Sequence, residues 1–271
     1  MGNAATTAAD QSALLKVEIS GPVLTVGLNR PAKRNALNDG IILAIQDCFS
    51  NIPDGIGAVV IHGIGDHFSS GLDLSELTER DATEGLVHSQ MWHRVFDRVQ
   101  YCRVPVIAAL KGAVIGGGLE LACAAHIRVA EPSAYFALPE GQRGIFVGGG
   151  GSVRIQRLMG YARMADLMLT GRVLTAEEGE RANLCQYVVP AGESLDRAKS
   201  LATRIAQNAP LTNWAVCSCL PRVNDMSHDD GLFIEGLIGN AVASAEGYER
   251  IKQFVDKRAK PLVKPGTSGD E

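Results

Sequence analysis

The chain has 271 residues, 46% of them hydrophobic, and 26 Lys and Arg against 30 Asp and Glu give a net charge of −4. That length and apolar content suffice for one sizeable core. The acidic balance excludes a global basic footprint for nucleic acid, and no stretch is long and apolar enough to span a membrane.

Residues 1–13 begin with Met-Gly-x-x-x-Thr, a myristoylation pattern, but no second membrane signal follows, and the segment reads as a disordered tail. "LLKVEIS" and "VLTVGLN" alternate around Gly21-Pro22 and predict a β-hairpin. "RPAKRNAL" is a basic loop. A helix follows with Asn38 as its N-cap and Ile41, Ile45, Cys48 and Phe49 at helical spacing. "GAVVIHG" is a short strand, and "DHFSSGLDLSEL" is a loop turning into helix. Residues 84–99 place Val87, Met91, Val95 and Val99 on one helical face. "VPVIAAL" is a buried strand, a further short strand leads into Gly116-Gly117-Gly118, and "HIRVAEP" and "AYFAL" add two more. "SVRIQRLMGYARMADLMLTG" is helix broken near Gly160, and "LTAEEGERANL" opens a helix with a Thr175–Glu178 capping box. The remainder is helical up to the tail "KPGTSGDE". Alternation followed by helices predicts an α/β core over 14–200, a helical region over 201–262, and disordered tails over 1–13 and 263–271. The cysteines Cys48, Cys102, Cys123, Cys185, Cys217 and Cys219 lack zinc-site spacing and read as free thiols of a reducing, cytoplasmic compartment, with no metal.

The chemistry concentrates in "GAVIGGGLELAC". A strand enters the three glycines and a helical pattern leaves them. The first amides of a helix have no internal partner and favour a negative or developing-negative oxygen. The spacing matches neither Gly-x-Gly-x-x-Gly nor a phosphate-binding loop. Glu120 follows among Leu119, Leu121, Ala122 and Cys123. It is either a surface residue on a small-residue helix or a buried carboxyl facing a cavity with a tuned pKa. Glu140, in "FALPEGQRGIFVGGGG", stands in a loop just after a strand, and the two carboxylates suit paired acid–base chemistry. "HFSSGLDL" offers Ser70 as a second backbone-amide donor or as an ordinary helix entry; a nucleophilic serine lacks its Gly-x-Ser-x-Gly elbow.

In order, "NRPAKRNAL", "FSSGLDL", "VPVIAALKGAVIGGGLELA", "LPEGQRGI…GGGG" and "LTGRVLTAEEGERANL" resemble the crotonase superfamily of enoyl-CoA hydratases and isomerases over residues 14–262. The resemblance implies a crotonase-like spiral of ββα repeats with a C-terminal helical trimerisation region, a homotrimer or homohexamer, and an acyl-CoA thioester ligand. No cofactor is implied, since coenzyme A is part of the substrate. It implies an oxyanion hole from the amides of Ser70 and Gly117, with Glu120 and Glu140 adding water across a 2,3 double bond. For coenzyme A it implies Lys33 and Arg34 near phosphates, Ala36 and Leu37 near adenine, Ser69, Leu72, Asp73 and Leu74 along the loop, and Phe254 and Lys257 in the terminal helix. His126, Lys111, Val147 and Arg250 depart from the pattern. Met91, Trp92, Phe96, Phe136 and Phe146 either line an acyl pocket or pack as core. An isomerase, or a lyase acting on an aromatic or branched acyl-CoA, is the alternative activity. A dehalogenase would need an aspartate within 141–147, which the chain lacks, and the acidic charge opposes an RNA-binding relative.

Overall fold

The computed structural model describes residues 14–76, 81–243 and 245–256. The expected tails and Lys257 lie outside these residues. The chain divides into two units, one ending at Asn208 and one starting at Ala209.

In the first unit, β1 (Leu15–Ser20) and β2 (Val23–Leu28) form the expected antiparallel hairpin, turning at Gly21 with φ 54°. Parallel strands then add in the order β3 (Ala58–Gly63), β4 (Val106–Leu110), β6 (Ile127–Ala130) and β9 (Tyr187–Val188). Parallel neighbours need long crossovers. α1 (Asp39–Ser50) supplies one between β2 and β3, and α2 (Ala82–Gln100) another between β3 and β4. Asn38 caps α1 as expected, its side chain accepting from Ile41 N at 3.1 Å.

Side chains alternate across a strand, so each central strand feeds two cores. Val60, Ile107 and Ala109 pack with Ala198, Leu201 and Ala202 of the later helix 194–205. Val59, Ile61, Val106 and Ala108 join Ile41, Ile45, Val95 and Val99 in the larger core. The expected boundary at residue 200 falls inside that helix. Its apolar face is buried on the sheet, and the first unit runs on to Asn208.

A second sheet has three strands, β5 (Ala113–Ile115), β7 (Tyr135–Ala137) and β8 (Val173–Thr175), with β5 parallel to β7 and β8 antiparallel. α3 (Gly117–Ala122) springs directly from β5. α4 (Gly151–Met159) and α5 (Tyr161–Thr170) are broken apart at Gly160, whose φ is 83°. α6 (Ala176–Arg181) carries the expected capping box, and α7 (Ser194–Ile205) is the helix that covers the large sheet. The second unit is helical throughout its described part: α8 (Pro210–Val223), α9 (His228–Val242) and α10 (Ala245–Val255). No helix among the described residues is long and apolar enough to cross a membrane.

α2 differs from expectation in its face. Trp92, Val95, Phe96 and Val99 are buried, at i, i+3, i+4 and i+7, while Val87 is exposed and Met91 only partly buried. The stripe is thus the aromatic one, and it carries Trp92 into the site.

Candidate active site

Parallel pairing of Ile115 with Ala137 brings two chain exits to the same end of the small sheet. One exit is the glycine run opening α3; the other carries Glu140. Each of the three glycines is required by close contact. A Cβ on Gly116 would lie 2.6 Å from Glu140 Oε1, one on Gly117 2.9 Å from Trp92 Cζ3, and one on Gly118 2.7 Å from the Ser69 carbonyl. Gly116 alone of the three also has positive φ, 52°.

Glu120 is buried, with 3% of its surface exposed, which decides between the two readings of that carboxylate. Its Oε1 accepts from Gly149 N at 2.9 Å and Gly151 N at 2.7 Å. Burial pushes its pKa up to about 7; the two amides oppose the shift, the Glu140 charge reinforces it and Arg154 opposes it. Glu140 is 7% exposed, and its Oε2 is buried without a hydrogen-bond partner. Burial raises its pKa also, against the nearby Arg143 charge. Both glutamates face a cavity of about 340 Å³. Its walls are Leu72, Gly117, the α2 residues Gly85, His88, Ser89 and Trp92, and the segment Ile145–Gly149.

The Ser70 amide is not part of this wall: it donates to the Arg34 carbonyl at 3.0 Å. The expectation that Ser70 serves as oxyanion donor is therefore corrected. Leu72 stands in a parallel bridge with Leu37, in which the amides of Leu37 and Asp73 make the hydrogen bonds and that of Leu72 is left over. Leu72 N comes 3.6 Å from the Cβ position of Gly117. The Leu72 and Gly117 amides have no acceptor among the described residues, and both residues line the cavity. Sequence pattern does not separate Ser70 from Leu72, because the amide directions depend on the bend at Gly71, where φ is 86°.

The residues expected to hold coenzyme A divide. Lys33 and Arg34 are exposed, with Lys33 Nζ 3.0 Å from Ser75 Oγ and Arg34 in the left-handed region at φ 50°. Leu74 is exposed as well. Ala36 and Leu37 have buried side chains and join the core from below the loop. Ser69 is buried, donating to the Asn35 carbonyl at 2.8 Å. Asp73 is buried and pairs with Arg30 at 2.9 Å; hydrogen bonds from Ser75 and then the Arg30 pair hold its pKa down. Both are scaffold of the loop rather than free contacts. Phe254 is exposed on α10.

Of the five candidate pocket residues, Trp92 and Phe146 line the cavity, Phe96 and Phe136 are fully buried core, and Met91 packs against the core. Val147 is a cavity residue. His126 is a partly buried cross-link: its Nδ1 accepts from Val106 N at 2.8 Å and its Nε2 faces the Gln100 carbonyl at 2.9 Å. Burial pulls its pKa down to about 4, so it is neutral at pH 7 and makes no charge interaction with the end of α3.

Sequence reasoning missed Arg154. It is buried, donates from Nη1 to the Gly149 carbonyl at 2.9 Å and from Nε to Gln100 Oε1 at 2.6 Å, and ion-pairs with Asp97. It thereby anchors the turn whose amides hold Glu120. The available signal is an arginine between Val153 and Ile155 in the first turn of a helix.

Residues 18–262 match the family model for enoyl-CoA hydratase/isomerase. The chain belongs to the enoyl-CoA hydratase/isomerase family. Relatives in this family include the 2,3-dehydroadipyl-CoA hydratase of Escherichia coli, 34% identical over 87% of this chain and 93% of its own. The short-chain-enoyl-CoA hydratase of Clostridium acetobutylicum is 32% identical over 89% of this chain and 94% of its own. Among solved structures, a Rhodopseudomonas palustris protein assigned as an enoyl-CoA hydratase is 65% identical, with a TM-score of 0.90 over 94% of this chain and 98% of that one. The α/β core with its helical C-terminal region is the family's crotonase fold.

Proposed function

We propose that the protein is an enoyl-CoA hydratase, adding water across the 2,3 double bond of a 2-enoyl-CoA thioester. The observation that carries the reading is convergence. Two buried carboxyls and two acceptor-free amides face one cavity. The amides of Leu72 and Gly117 receive the thioester oxygen as negative charge grows on it, stabilising the enolate formed when a nucleophile adds at the β-carbon. Two backbone amides favour the anionic form of Glu120, which takes the proton from water. Glu140, with its unpartnered Oε2, returns a proton to the α-carbon. The two titrate as a coupled site, and a pKa near neutrality suits transfer in either direction.

Coenzyme A enters as part of the substrate, with the exposed Lys33 and Arg34 available to its phosphates, and no further cofactor is needed. Exposed apolar side chains on α9 and α10 support a homotrimer or homohexamer, and free, mostly buried cysteines support a cytoplasmic location. Glu120→Gln and Glu140→Gln are each expected to lower crotonyl-CoA hydration by about 10²–10⁴-fold with circular dichroism unchanged. Unchanged turnover in both variants would end this reading. An isomerase would convert a 3-enoyl-CoA without incorporating oxygen from heavy-oxygen water; the hydratase incorporates it.

A further inference from the structure

Four cavity residues of α2, Gly85, His88, Ser89 and Trp92, stand at i, i+3, i+4 and i+7 and form one wall. Trp92 abuts Gly117 and so marks the end where the thioester reacts. His88 lies one turn nearer the start of the helix, about 6 Å along its axis, with its ring centroid 5.9 Å from that of Trp92. Beyond it, Gly85 leaves open space: a Cβ there would meet nothing within 4 Å. The acyl chain of a substrate whose carbonyl sits at Gly117 thus runs past Trp92 toward His88.

The wall facing this path is apolar, formed by Ile145, Phe146 and Val147. Of the polar side chains on the α2 wall, Ser89 is committed, its Oγ donating to the Gly148 carbonyl at 2.6 Å and lying 3.3 Å from His93 Nε2. The Trp92 indole nitrogen is buried and has no hydrogen-bond partner among the described residues. His88 differs. Its Nε2 is held by Asp39 Oδ1 at 2.7 Å, which fixes the ring, and its Nδ1 has no partner among the described residues. A ring pinned by a carboxylate on one nitrogen presents the other in a defined direction and protonation pattern.

We propose that His88, oriented by Asp39, is a specificity-determining residue that hydrogen-bonds an oxygen at the far end of the acyl chain, so that the preferred substrates are 2-enoyl-CoA thioesters ending in a hydroxyl or a carboxylate. The same nitrogen serves both: it accepts from a hydroxyl when neutral and donates to a carboxylate when protonated. A site built to pair with such a group discriminates against the analogue that lacks it, because desolvation then goes uncompensated.

The inference rests on the hydratase reading, and one experiment separates the two. Straight-chain 2-enoyl-CoA thioesters of matched length, ending in methyl, hydroxyl or carboxylate, are compared by kcat/KM in the wild type, His88→Phe, His88→Gln and Asp39→Asn. One oxygenated series is expected to exceed the methyl series by about tenfold or more in the wild type. That ratio falls to about one in His88→Phe and is partly kept in His88→Gln. In Asp39→Asn it falls as the ring loses its anchor. Which oxygenated series leads identifies the end group. A wild-type preference for the methyl series, or a ratio that His88→Phe leaves unchanged, overturns the proposal while leaving the hydratase standing. If His88→Phe does not fold, the ratios in His88→Gln and Asp39→Asn decide, and an unchanged ratio in both overturns it. Absence of hydration in every series defeats the hydratase reading itself.

Discussion

At the scale of single residues, the cost of the site is concentrated in Glu120. A carboxyl that ordinarily titrates at 4.5 is pushed to about 7 by burial, in spite of two amide hydrogen bonds. Between those pH values the folded chain holds a proton that the unfolded chain has released. The contribution to stability is therefore complete below pH 4.5 and is lost as pH rises through 7, by roughly 3 kcal/mol in all. Glutamine at this position keeps an oxygen for Gly149 and Gly151 but has no charge to desolvate. The melting temperature of Glu120→Gln minus that of the wild type should thus grow between pH 5 and pH 9, on the order of 5 °C or more. Parallel melting curves for the two proteins would show the burial cost to be absent. Activity moves the opposite way, since the variant has lost the group that exchanges the proton. A position where stability and activity trade against each other marks a site rather than a packing residue.

At the scale of elements, the site depends on a tie between α2 and α4 that touches no substrate. Arg154 reaches from the first turn of α4 to Gln100 and Asp97 on α2 and to the Gly149 carbonyl. Gly150, at φ 94°, is where the backbone makes room: a Cβ there would collide with the guanidinium. Arg154→Met should release the turn 149–151, lower kcat by about tenfold or more, and shift the acid-limb pKa of the rate profile upward, because the guanidinium favours ionised Glu120. Arg154→Lys keeps a charge but not the three-way fork, so its pH profile should stay nearer the wild type while kcat still falls. A pH profile unmoved in Arg154→Met would mean the tie is only structural. Such ties explain what the sequence could and could not disclose. The hairpin, α1 with its Asn38 cap, the break at Gly160 and the Thr175 capping box follow from local chemistry, and all four are legible. Glu120 is legible because a carboxylate in an apolar helical run demands a reason, and Glu140 because it follows a strand beside glycines. β8 and β9, of three and two residues, carry too little pattern to be read. The choice of Leu72 over Ser70, and the partners of Arg154 and His88, are long-range consequences of backbone direction. They have no periodicity to betray them.

At the scale of the whole molecule, the second unit displays more apolar surface than a solitary helical region tolerates. On α10, Tyr248, Ile251 and Val255 stand at i, i+3 and i+7, each more than half exposed, with Phe254 beside them. On α9, Leu232, Phe233 and Leu237 are equally bare. Contiguous exposed side chains of this size mark surface meant to be covered. In a chain whose excess of acidic over basic residues is only four, charge repulsion does little to oppose association. Self-association through closed symmetry hides such faces without generating open fibres. The homotrimer or homohexamer proposed above should then sediment at three or six times the mass of its chain. Phe233→Asp combined with Ile251→Asp, which places charge in both stripes, should move the population toward the single-chain mass. The single chain should also melt at a lower temperature, because folding is then no longer coupled to assembly, and its melting point should lose dependence on protein concentration. Sedimentation velocity across a hundredfold concentration range reads the first effect, and melting curves over the same range read the second. A wild type that sediments as one chain at every concentration would refute the assembly, and an unchanged oligomer in the double variant would place its interface elsewhere.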